Sequence, residues 1–137
     1  MSVLTIDIGN SRIGFNVYTA GKAKDEAVRL TRAQLDDDLA STLKSLWDKA
    51  EREAAAGDKE AAIVISSVVP ALTEQVERAA LRQLNRDARV VGRDLKVPLK
   101  TMLRDETTVG QDRLLGALAA YVNVEAACAI VHAGSAL

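Results

Sequence analysis

Apolar and polar residues alternate from Val3 to Ile8, and a period of two predicts a strand. Gly9, Asn10 and Ser11 supply turn chemistry before a second extended run from Ile13 to Tyr18, so the chain opens with a hairpin. Gly21 and Lys22 predict the next turn, and Ala27 to Leu30 a third strand paired with the second. From Thr31 or Arg32 onward the period lengthens. Leu35, Leu39, Leu43, Leu46, Trp47 and Ala50 fall on one helical face, and Gly57 stands where that helix would end. Asp36, Asp37 and Asp38 are consecutive, so their carboxylates project in different directions. They suit the positive end of a helix and a solvated face better than a metal cluster.

Ala61 to Ser66 is a continuous apolar run of the kind buried on both faces of a parallel sheet. Pro70 introduces a helix with Leu72, Val76, Ala80 and Leu84 on its stripe. Arg89 to Gly92 begins another strand, and a less regular segment holding Pro98 leads to Gly110. Leu114, Leu115, Leu118 and Val122 then mark a third helix, and Cys128 to Val131 reads as a last, buried strand. Three meandering strands followed by alternating helices and strands predict an α/β fold with a mixed five-stranded sheet. This is the ribonuclease H-like order, which actin-like ATPases carry twice. The expected division is a domain over residues 1–126, with 127–137 as the first strand and phosphate loop of a second, similar domain. An end so soon after an apolar strand predicts that a following domain has been cut away. The run closing on His132, Ala133, Gly134 and Ser135 faintly echoes the one closing on Asp7, Ile8, Gly9 and Asn10.

A length of 137 residues, 48% of them hydrophobic, suffices for one real core. The 18 Lys and Arg nearly balance 19 Asp and Glu, which argues against a field that would draw in nucleic acid or an anionic membrane. The single cysteine, Cys128, has alanine neighbours and reads as a small core residue. Met1 leads straight into a strand, and no apolar run reaches the length of a membrane span, so a cytoplasmic location is expected.

Three stretches could carry chemistry. In Asp7, Ile8, Gly9, Asn10, Ser11, the glycine lets backbone approach a ligand, Asn10 and Ser11 offer donors, and Asp7 offers a carboxylate for hydrated Mg²⁺. Such a loop can hold ATP phosphates without a P-loop, although a polar tight turn has the same composition. Val109, Gly110, Gln111, Asp112, Arg113 opens the third helix, where free amides favour anions. Asp112 there either balances the helix dipole or accepts a proton from an attacking hydroxyl. A carboxylate of ordinary pKa, about 3.9, suffices in phosphoryl transfer, where the base mainly orients the hydroxyl. His132, Gly134 and Ser135 follow the last strand, and a lone histidine there reads as a polar strand-end residue or a satisfied core group rather than a metal ligand.

In order and spacing these segments resemble type III pantothenate kinases over essentially the whole chain. Ile6 to Ser11 is similar to the family's first phosphate loop, Ile65 to Thr73 to its strand-to-helix junction, and Gly110 to Arg113 to its Gly-x-Asp-Arg acceptor motif. The resemblance implies ATP-dependent phosphorylation of pantothenate at the start of coenzyme A synthesis. It implies ATP contacts from Asp7, Ile8, Gly9, Asn10, Ser11, Arg12, Ile13 and Gly14, with Ser135 in a second phosphate loop. It also implies pantothenate contacts from Gly110, Gln111, Asp112 and Arg113, with Asp112 as proton acceptor. Mg²⁺, a monovalent cation such as K⁺ or NH₄⁺, and a homodimer at full length complete the family picture.

Two departures stand out. Where the family has a Tyr and an Asn-Pro pair before the acceptor motif, this sequence has Leu103, Arg104, Asp105, Glu106. Where the family has an Asp for the monovalent cation it has His132, and imidazole is a poor ligand for a hard alkali cation. Family enzymes are about twice this length, so the resemblance implies that the 137-residue chain alone lacks useful activity. A non-catalytic, nucleotide-binding or regulatory relative is the alternative reading, and another small-molecule kinase of the same superfamily is a third.

Overall fold

The computed structural model of the chain describes residues 1–57 and 59–133. Strand β1 (Ser2–Ile8) pairs antiparallel with β2 (Arg12–Thr19) and parallel with β5 (Ala61–Ser67), which pairs parallel with β6 (Ala88–Val90). Two short strands, β3 (Lys22–Ala23) and β4 (Val28–Thr31), lie along the other edge of β2. Helices α1 (Leu35–Ala55), α2 (Pro70–Leu84) and α3 (Gln111–Val124) complete the element list. An antiparallel meander beside a parallel, helix-connected half is the ribonuclease H-like arrangement expected from the sequence.

The third strand differs from expectation by being broken in two. Tyr18 faces Ala23 and Phe15 faces Val28, so residues 24–27 span what residues 16 and 17 span on β2. The surplus bulges off the ladder, and the Asn16 side chain accepts the Val17 amide at 2.8 Å. The sheet therefore counts six strands among the described residues.

One face of the sheet carries the core. Leu4, Ile6 and Ile8 of β1, Ile13, Phe15 and Val17 of β2, and Ile63 and Ile65 of β5 are all buried there. They pack under Leu39, Leu43, Trp47 and Ala50 of α1 and Val76 and Ala80 of α2, which is the stripe the helical period predicts. A single 3₁₀ turn, Arg32–Gln34, precedes α1, so the helix proper begins at Leu35, with Asp36, Asp37 and Asp38 in its first turn as expected. The opposite face is less covered. Val64 of β5 is only half-buried, so that strand is not enclosed on both sides, and Leu114 is the one buried residue of α3.

Strand β6 is shorter than the expected run to Gly92 because the chain turns at its outer edge. The Val90 amide donates to the Asp94 carboxylate at 2.8 Å, and the Val90 carbonyl accepts the Asp94 amide at 2.8 Å. Gly92 sits in this turn at φ +89, a conformation that favours glycine. The Arg93 guanidinium bonds Asp94 and bridges to Glu77 on α2, and it holds the Asp94 carboxyl down at about 2.

The expected strand at Cys128–Val131 does not form, and Cys128 is exposed rather than in the core. An apolar run becomes a strand by pairing its backbone groups, and no strand among the described residues runs beside this one. No described helix is long and apolar enough to cross a membrane.

Candidate active site

The site is built from the less covered face. Asp7 lies opposite Gly14 on β2 and beside Ser66 on β5, so the three share one row across the sheet. A Cβ at Gly14 would meet nothing within 4 Å, which leaves open space beside the Asp7 carboxylate. Gly9 serves the turn itself: its amide donates to the Arg12 carbonyl at 3.0 Å, and a Cβ there would lie 3.3 Å from that oxygen.

Helix α3 packs against β5 and brings Asp112 to the groove beside this row. Thr5, Asp7, Val64 and Ser66 of the sheet and Asp112 and Leu115 of α3, with Tyr18 and His132 among the remaining walls, line a groove of about 560 Å³. Partial enclosure in this groove raises the Asp7 carboxyl above its ordinary range. The Ser66 hydroxyl, hydrogen-bonded to the carboxylate, pulls it back, and the negative charge of Asp112 pushes it up again. The two carboxylates are thus close enough to repel each other across one cleft.

Gly110 caps α3, and a Cβ at that position would collide with the Asp112 carboxylate oxygen. The glycine is therefore what lets Asp112 fold back over the helix start. Gln111, one residue earlier than Asp112, points the other way. Its side chain fills the space beside Gly92, where a Cβ would approach Gln111 Cδ to 2.8 Å. With Leu114 it lines a second cavity of about 390 Å³ that also includes Lys96, Thr101 and Glu106. Arg113 is exposed and is not among the groove walls.

The Leu103–Glu106 stretch folds as a capped turn. The Asp105 carboxylate accepts the Thr107 amide at 2.9 Å and the Thr107 hydroxyl at 2.6 Å, bonds that hold its pKa down. This turn delivers Glu106 to the second cavity, where it accepts from the Thr101 hydroxyl at 2.6 Å, and leaves Leu103 exposed.

Of the sequence-predicted residues, Asp7 and Asp112 meet in the groove, while Asn10, Ser11 and Arg12 stand exposed at the tip of the β1–β2 turn and its exit. Ile8 and Ile13 face the core rather than a ligand, so within that loop their part is to anchor it. His132 reaches the groove by packing on α3: a Cβ at Gly116 would lie 2.5 Å from the imidazole Cε1. Gly134 and Ser135, the second-loop candidates, lie outside the described residues. The sequence places Ser66 in the strand-to-helix junction without its role, which the register beside Asp7 supplies, and gives no sign of Arg32, whose Nε donates to the Asn10 carbonyl at 2.9 Å.

Among the described residues the donor set suits one group and not another. Mg²⁺ takes one or two carboxylates and otherwise keeps water and phosphate oxygens, and two mutually repelling carboxylates in a groove fit that habit. A monovalent cation needs a shell of oxygens, and the imidazole of His132 does not offer one. No group of three or more His, Cys, Asp or Glu suited to a metal occurs among the described residues.

Residues 3–137 match the family model described as type III pantothenate kinase. A type III pantothenate kinase of Geobacter sulfurreducens is 32% identical over 136 residues, covering 98% of this chain and 52% of its own length. One from Anaeromyxobacter is 30% identical over 135 residues with the same coverage. The chain thus spans about half the length of the relatives it matches. Among solved structures, a Bacteroides thetaiotaomicron protein with an actin-like ATPase fold and unknown function aligns at a TM-score of 0.47. It is 9% identical, over 70% of this chain and 34% of that one.

Proposed function

The chain belongs to the type III pantothenate kinase family, and on that premise we propose that it supplies the acceptor side and first phosphate loop of an ATP-dependent pantothenate kinase. The observation that carries the reading is the shared groove of Asp7 and Asp112. Phosphoryl transfer asks little covalent chemistry of a protein and much positioning, and a cleft with one carboxylate at each wall is suited to that task.

The Asp112 carboxylate takes the proton of the pantothenate hydroxyl as its oxygen attacks the γ-phosphorus of ATP. The bond from that phosphorus to the β–γ bridging oxygen breaks, and ADP leaves with the electron pair. Gly110 leaves room for the Asp112 carboxylate to fold over the helix start, whereas Gln111, in the second cavity, and Arg113, outside the groove, are given no acceptor contact. The turn at Gly9, Asn10 and Ser11, with Arg12 and the open floor at Gly14, receives the phosphates. Asp7, steadied by Ser66, would hold hydrated Mg²⁺, which neutralises charge on the phosphates when bound. No step is assigned to a monovalent cation. A cytoplasmic location and a homodimer at full length belong to the same proposal. Tyr121, Val122 and Val124, exposed at the end of α3, are suited to cover by further protein.

The test is Asp112→Asn in the open reading frame that encodes this chain. Turnover in a coupled assay should be lost while MgATP binding stays near wild type, and unchanged turnover would defeat the assignment of the base. The exposed Leu103 and the altered cation position favour one other reading, a relative that binds nucleotide without catalysis. Calorimetric titration with pantothenate, with and without an ATP analogue, separates them, because a non-catalytic relative should not bind the acceptor.

A further inference from the structure

We propose that Arg32 is a phosphate-binding cation of the nucleotide site, fixed to the opening loop from 22 residues away in sequence. The inference rests on the nucleotide reading above and extends it to a residue outside the loop. Three observations carry it. Strand β4 ends on the pair Arg12↔Thr31, so the next residue, Arg32, is delivered beside the turn that joins β1 to β2. The backbone at that point is held by a capping box, in which the Thr31 amide and hydroxyl donate to Gln34 Oε1 at 2.9 and 3.0 Å. The Arg32 side chain then donates through Nε to the Asn10 carbonyl at 2.9 Å, a bond that does not use its terminal nitrogens.

Geometry and charge agree on what such an arginine can do. With Nε committed to the loop, the guanidinium is oriented, and its two terminal nitrogens remain as a fork matched to phosphate oxygens. The groove behind the loop carries the negative charges of Asp7 and Asp112, which disfavour a triphosphate, and Arg12 at the exit of the turn is the one cation from residues 7–14. The Arg32 guanidinium beside the loop adds a second positive charge. Because it is anchored before the ligand arrives, less side-chain entropy is lost on binding.

The experiment measures MgATP and pantothenate affinity, and KM for each, in the complete reading frame carrying Arg32→Ala, Arg32→Gln or Arg32→Lys. Thermal melts matching wild type check that the fold is intact. Glutamine can still donate to the Asn10 carbonyl but brings no charge, so it separates loop-holding from phosphate binding. Loss of a charge-assisted contact predicts MgATP affinity about tenfold or more weaker in both the Ala and the Gln variants, with partial recovery in Lys and pantothenate affinity unchanged. Near-wild-type MgATP affinity in the Gln variant beside a weakened Ala variant would reduce Arg32 to a loop anchor and overturn the proposal. So would unchanged affinity in all three. If the wild-type protein itself fails to bind MgATP, the nucleotide reading fails first and takes Arg32 with it.

Discussion

Along β1, Leu4, Ile6 and Ile8 point into the apolar layer beneath α1 and α2, whereas Thr5 and Asp7 point into the groove beneath α3. The first set is sealed from water, and the second keeps a carboxyl whose pKa is pushed up by enclosure and by a like charge. A strand's period of two places these environments one residue apart. Stability is thus assigned to one face and chemistry to the other, and each can be altered with limited effect on its neighbour.

The largest effect on the sealed face should come from Ile6→Ala. A fully enclosed isoleucine replaced by alanine loses transfer energy and leaves a cavity, so denaturant melts should show a loss of about 2–5 kcal/mol. On the open face, Gly110→Ala should act in the opposite sense. The new methyl displaces the flexible end of Asp112 rather than any backbone. Turnover should fall by at least about tenfold, while the melting midpoint barely moves. A large drop in stability with intact turnover would mean that the glycine serves the helix and not the carboxylate.

Asp7→Asn should raise stability at neutral pH while weakening MgATP binding. The folded-state pKa of Asp7 is raised, so its contribution is most favourable below the unfolded value and is lost as pH rises through the folded one. The variant's advantage over wild type, read from denaturation midpoints, should therefore grow from acid to neutral pH. An advantage independent of pH would contradict the partial enclosure of that charge in the groove. The smallest effect is expected from Asp94→Asn. The depressed carboxyl of Asp94 favours the fold above the unfolded value, and that help is lost only as pH falls toward about 2, so midpoints should converge in strong acid.

Much of this arrangement could be read from the sequence. The β1 alternation, the stripes of α1 and α2 and the position of α3 follow from local periodicity, and local periodicity reports which face is apolar. What escaped depends on partners distant in sequence. The break in the third strand is a mismatch of length against β2, and a single strand cannot reveal how many residues its neighbour uses. Cys128 to Val131 has the composition of a strand without a ladder to join among the described residues. Within the site, motifs point to Asp7 and Asp112, but their convergence depends on α3 packing against β5. Arg32 looked like part of a helix start, since its contact with Asn10 exists only once β4 has docked.

The turn after β6 has a bearing on how copies of this chain can meet. The outward amide and carbonyl of Val90 are already occupied by Asp94, so the margin of the sheet offers little backbone for an incoming strand to zip onto. Edge-to-edge polymerisation from that side is thereby discouraged by one carboxylate, and self-association by strand addition would have to use the interrupted β3–β4 margin.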